Sequence, residues 1–135
     1  MGDKKYFITV DDEELIRDSF RDVVEMLSDY NVLGAKDGEE GFSLLEGLAD
    51  EKPKTIMVTD HGMPNLNGLE MIRKIKEFGL MEKFGDNLRI YMNFSPAREY
   101  GEEIGKEAVG LGAREYILKP KLDFYKVKEI LDDFK

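Results

Sequence analysis

Apolar and polar positions follow two rhythms along this chain, and the rhythms take turns. Tyr6-Phe7-Ile8-Thr9-Val10 is a short β-rich run ended by acids, which predicts a strand. Ile16, Phe20, Val23, Val24 and Leu27 then recur at helical spacing and share one face. Asn31–Ala35 reads as a second, less apolar strand. Asp37, with Glu40 three residues later, has the form of a helix N-cap. It opens a helix carrying Phe42, Leu44, Leu45 and Leu48 that stops before Pro53. Thr55–Thr59 is a third strand, and Asn67 caps a helix with Leu69, Ile72, Ile75 and Phe78. Gly79 and Gly85 bracket a connector, and Leu88–Met92 predicts a fourth strand. Ser95-Pro96 starts a helix with a capping hydroxyl and then Pro at the first helical position; Gly112 ends it. Tyr116–Leu118 is a fifth strand, and Leu122–Phe134 a last helix.

Strand and helix thus alternate through five βα units. That pattern predicts an α/β fold, a doubly wound parallel sheet with helices on both faces. No linker, repeat or low-complexity tract interrupts it, and 135 residues suit one domain, so residues 1–135 are expected to form a single unit. A chain of this size buries roughly two-thirds of its unfolded surface, enough for a core without staples.

Composition narrows the chemistry. Twenty-nine acids against 20 Lys and Arg give a net charge of −9, which argues against nucleic acid as a partner and suits a cation or a basic protein surface. With no Cys and one His, disulfide frameworks, thiolate metal sites and His-rich zinc sites are excluded. No apolar run approaches the roughly 18 residues of a membrane span. The first residues do not read as a secretory signal, so a cytoplasmic protein is expected.

In doubly wound sheets the site lies outside the carboxyl ends of the strands. Those ends carry Asp11 and Asp12, then Lys36-Asp37, Asp60, Asn93 followed by Ser95, and Lys119-Pro120. Asp11, Asp12 and Asp60 therefore converge with Lys119 on one rim. Each acid alone is an ordinary helix-start residue. As a set they crowd like charges, which is costly unless a cation neutralises them. Hard oxygen donors with open positions suit Mg²⁺.

Asp60 leads into His61-Gly62-Met63-Pro64, with Gly68 eight residues after it. Together with Val10-Asp11-Asp12-Glu13 and Lys119-Pro120, this resembles the receiver domain of response regulators in two-component signalling, and specifically the single-domain chemotaxis type. The match runs in order over essentially the whole chain. The resemblance implies a flavodoxin-like (βα)5 sheet with strand order 2-1-3-4-5. It implies that Asp60 is the nucleophile that takes a phosphoryl group from a phosphohistidine. Mg²⁺ would be held by Asp12, Asp60 and the backbone carbonyl of Gly62, with Asp11 acting mainly through water. Lys119 would pair with Asp60 and later with a phosphoryl oxygen, and the Lys119-Pro120 peptide would be cis. The implied partners are a sensor histidine kinase or histidine phosphotransfer protein and a downstream target. The protein would be a phosphoacceptor rather than an enzyme, with no attached output domain.

The sequence departs from the family where a Thr or Ser normally ends strand four. Asn93 and Ser95 are both candidates for that phosphoryl-sensing position. Asn93 leaves a cleaner strand, whereas aligning on Ser95 puts an amide inside a buried strand. Phe94 stands where the family prefers a small residue, and Tyr116 resembles the switch aromatic. Asp60 and Lys119 lie further apart in sequence than in a compact receiver, and the extra residues fall around Gly79–Gly85 and in the helix after strand four. His61 is expected to be a solvent-facing neighbour, and Leu15 either a kinase contact or buried. A receiver-like binding module with a weakened switch is the alternative. A flavodoxin-type cofactor site is excluded by the acids after strand one, which repel phosphate. A haloacid-type phosphatase lacks its second Asp, because Gly62 stands there.

Overall fold

The computed structural model describes residues 4–94, 101–118 and 123–134. Strands β1 (Lys5–Val10), β2 (Asn31–Ala35), β3 (Lys54–Thr59), β4 (Leu88–Phe94) and β5 (Glu115–Leu118) pair in parallel in the order β2-β1-β3-β4-β5. Helices α1 (Glu14–Leu27), α2 (Gly38–Gly47), α3 (Gly68–Glu77), α4 (Leu80–Phe84), α5 (Gly101–Leu111) and α6 (Phe124–Asp133) cover it. The flavodoxin-like order expected from the resemblance is the order observed.

The period of two along each strand sends alternate side chains into two cores. On one face Ile8, Val10, Met57, Ile90 and Met92 pack against Phe42, Leu45, Met71 and Ile75. On the other, Phe7, Ile56, Val58 and Tyr91 pack against Phe20 and Val24 of α1 and Val127 and Ile130 of α6. Both faces of the central strands are buried, as all-parallel sheets require.

The caps follow the sequence closely. The Asp37 carboxylate accepts the Glu40 N–H, opening α2, while the Glu40 side chain turns back to the N–H of Lys36. Asn67 and Glu70 form a reciprocal capping box at α3. Gly79 (φ 74°) and Gly85 (φ 57°) both take left-handed backbone, which is why glycine brackets the connector. Between them the chain forms α4, which buries Leu80 and Phe84, and a 3-10 turn follows over Gly85–Asn87. The connector thus holds a short helical element that adds to the core.

Strand four differs from expectation. It runs to Phe94 rather than stopping at Met92, because the ladder with β5 continues through Asn93↔Ile117 and Phe94↔Leu118. Backbone pairing and the contact between the Phe94 and Tyr116 rings, 5.6 Å between centroids, outweigh the polarity of Asn93. The predicted helix start at Ser95-Pro96 lies outside the described residues, as do Leu122, Lys119 and Pro120. Among the described residues no helix is long and apolar enough to cross a membrane.

Candidate functional site

Three strand ends meet at the carboxyl edge of the sheet. Asp11 directly follows β1 and is 2% exposed. Its N–H donates to Ala35 O (3.0 Å), its Oδ1 accepts the Glu13 N–H (3.0 Å), and its carbonyl accepts Arg17 Nη1 (2.7 Å). These bonds tie the β1–α1 turn to β2 and α1, with Asp12 left exposed at its tip. Asp60 follows β3 and is held by its own N–H to Val10 O (2.9 Å), while its Oδ1 accepts the His61 N–H (2.8 Å). Asp11, Asp12 and Asp60 each offer a carboxylate oxygen, all within 4.8 Å of one another. Three hard anionic donors this close are a fit for a divalent cation, and they are costly without one.

The loop beyond Asp60 is closed by backbone bonds. The carbonyl of His61 accepts the N–H groups of Met63 (3.0 Å) and Gly68 (2.9 Å), placing half-buried Gly62 beside Asp60. Gly68 sits so close that a Cβ would lie 2.2 Å from Asp60 O. His61 differs from expectation. It is half-buried, and its Nδ1 accepts the Leu69 N–H at 3.3 Å, so its ring helps cap α3.

A second tie joins this loop to β2 and α2. Asp37 is buried and accepts both the Glu40 N–H (2.9 Å) and Asn65 Nδ2 (2.7 Å). Asn65 adopts φ 66°, a left-handed conformation that Asn tolerates. Gly38 N–H donates to Leu66 O (2.9 Å), and a Cβ at Gly38 would lie 2.3 Å from that oxygen. The sequence marks Asp37 as a cap, but nothing in it reveals that the same carboxylate steadies the Asp60 loop. Arg17 likewise reads as one polar residue of a helix face.

The hydrogen bond from the Glu40 N–H, then that from Asn65, hold the Asp37 carboxyl below its ordinary value of 3.8. A depressed pKa stabilises the fold above the unfolded value, and that contribution is lost as pH falls through the folded value. Asp37→Ala is therefore expected to cost about 2 kcal/mol at neutral pH, combining a lost cap with a lost charged hydrogen bond. Denaturant unfolding at pH 7 and at roughly pH 3 checks this, because the deficit shrinks at the lower pH.

Asn93 is 2% exposed, one residue beyond the Thr59–Met92 pair, and its Oδ1 is buried without a hydrogen-bond partner among the described residues. β4 thus contains a buried amide, which polarity alone disfavours. Tyr116 is half-buried, between the Phe94 ring and Gly105, where a Cβ would come within 2.5 Å of the Tyr116 ring. Leu15 is 79% exposed, so it is not a core residue. Lys119 and Ser95 lie outside the described residues.

Sheet order and acidic trio together define a doubly wound α/β domain with a carboxylate pocket at its strand ends. The profile of the response regulator receiver domain matches residues 7–131. The chain is 31% identical over 113 residues to a chemotaxis protein CheY homolog of Campylobacter jejuni, spanning 84% of this chain and 79% of that protein. It is 28% identical over 113 residues to chemotaxis protein CheY1 of Helicobacter pylori, spanning 84% and 83%. Among solved structures, a receiver domain protein from Clostridium thermocellum superimposes with a TM-score of 0.78 at 21% identity, covering 97% of this chain and 93% of that one. The CheX-CheY-BeF3-Mg²⁺ complex from Borrelia burgdorferi gives 0.76 at 24% identity, covering 98% and 90%. The chain belongs to the response regulator receiver family, a family of signalling domains.

Proposed function

We propose that this receiver accepts a phosphoryl group on Asp60 from a histidine kinase or histidine phosphotransfer protein, and signals through altered protein contacts. The observation that carries this reading is the trio Asp11, Asp12 and Asp60, with ligand oxygens within 4.8 Å of one another. Asp12, Asp60 and the Gly62 carbonyl would hold Mg²⁺, with Asp11 one step further out. Bound there, the ion offsets the charge that builds on the transferring group.

The remaining steps belong to the chain. The Asp60 oxygen not committed to the His61 N–H attacks phosphorus in line, and the bond from phosphorus to the donor imidazole nitrogen breaks. Lys119 supplies an ammonium to a phosphoryl oxygen. Asn93, level with Asp60 on the neighbouring strand, brings an amide donor in place of the family's hydroxyl. Tyr116, pressed on Phe94, is the aromatic that relays the change to the surface. Exposed Leu15 beside the acidic pair supplies an apolar contact for the phosphodonor protein. The similarity to chemotaxis receivers supports a cytoplasmic messenger that works by docking.

Titration with Mg²⁺, followed by backbone NMR, tests the metal assignment. Saturable shifts are expected at residues 11–13 and 60–62, weakened at least about tenfold in Asp12→Asn. Saturation elsewhere, or unchanged affinity in Asp12→Asn, contradicts it.

A further inference from the structure

The opposite end of the sheet carries a feature that the phosphoacceptor reading does not use. An open cleft of about 620 Å³ lies at the amino ends of β3, β4 and β5. Lys54, Arg89 and Arg114 line it, with Asp86 as the carboxylate among its lining residues. In a chain of net charge −9 this is a local excess of positive charge. Lys5, Arg73, Lys83, Lys106, Lys126 and Lys128 all pair with carboxylates. Among the described residues, the three cleft cations have no such ion pair, and neither do Lys36, Lys52, Lys74 and Lys76; what sets the three apart is that they share one cleft.

Two of those cations are held in place. Lys54 Nζ stands 5.1 Å and Arg89 Cζ 4.3 Å from the centroid of the Phe134 ring. Arg89 also donates to Asp133 O (3.0 Å). A guanidinium has five N–H donors, so this anchoring leaves donors for a ligand. The base of Arg114 is fixed beside β4 by its N–H to Ile90 O (2.7 Å), while its side chain is exposed. A preorganised Arg89 with spare donors, and Arg114 exposed beside it, match the bidentate geometry of phosphate oxygens.

Size and surroundings narrow the ligand further. The cleft is open and mostly polar, and it exceeds one small oxyanion. Its apolar residues, Leu88 and Phe134, are half-buried and buried, so a protein partner finds no exposed anchor there. Three cations on an acidic chain are too few for a nucleic-acid surface. We infer that this cleft binds a small polyanion carrying two or more phosphate groups, remote from the acidic pocket that would repel it.

Inorganic pyrophosphate, titrated in EDTA at low salt and followed by backbone NMR, tests the proposal. Saturable shifts are expected at residues 85–89 and 114, with residues 60–63 unmoved. Arg114→Gln, an exposed change, is expected to weaken binding about tenfold without altering the unfolding curve. Lack of saturation, shifts confined to the Asp60 loop, or equal affinity in Arg114→Gln overturns it. Tighter binding of citrate overturns the assignment to phosphate, and tighter binding of a hexaglutamate peptide overturns a small-molecule ligand.

Discussion

Asp60→Asn is expected to take up no phosphoryl group from a small acyl phosphate donor, whereas the parent chain takes it up only with Mg²⁺. An amide is nearly the same size as a carboxylate but is not a nucleophile toward phosphorus. Its carbonyl oxygen can keep the bond from the His61 N–H, so the loop retains its shape. Removing one of three crowded carboxylates relieves repulsion when no cation is present, and it also removes the charge that Lys119 would pair with. The two effects oppose each other, and the variant is expected to unfold close to the temperature of the parent. Incorporation measured beside a thermal melt separates loss of chemistry from loss of fold. Mg²⁺-dependent uptake persisting in Asp60→Asn contradicts the assignment of the nucleophile.

Gly68→Ala is expected to give the largest effect of a single methyl group. The added Cβ would lie 2.2 Å from Asp60 O and 3.0 Å from His61 Cα, both backbone atoms at the site. No side-chain rotation relieves such a contact, so α3 or the Asp60 loop must shift. The bond from Gly68 N–H to His61 O (2.9 Å) joins those same two segments. Overpacking at a rigid site costs about 2 kcal/mol, and more where backbone must move. Denaturant unfolding measures that loss. The rate of phosphoryl uptake is expected to fall as well, because the displaced segment carries Asp60, the proposed nucleophile. Gly47→Ala serves as the control, since a Cβ there meets nothing within 4 Å.

The fold was legible because the same period that makes each element also buries it. Ile16, Phe20, Val23, Val24 and Leu27 line the buried face of α1, and Asn67 caps α3 as its type and position predict. The acidic trio was legible because doubly wound sheets bring their carboxyl ends together, so positions far apart in sequence share one rim. What sequence hid depends on contacts between distant segments. Asn93 looked like a strand terminator by polarity, yet pairing with β5 carried the strand through it. His61 looked like a bystander until the fold placed the Leu69 N–H beside its Nδ1. The bond between Asn65 and Asp37 joins two loops 28 residues apart, and no local pattern announces it. The basic cleft is assembled from three strand starts and Phe134, none of which carries a motif.

The most direct test of the central claim is to locate the phosphoryl group in the parent chain. After incubation with a small acyl phosphate and Mg²⁺, the acyl phosphate is trapped by borohydride reduction and mapped by peptide mass spectrometry. The account predicts homoserine, the reduction product of an aspartyl phosphate, in place of Asp60, absent when EDTA replaces Mg²⁺. A modification on another residue, or one formed equally well in EDTA, contradicts it.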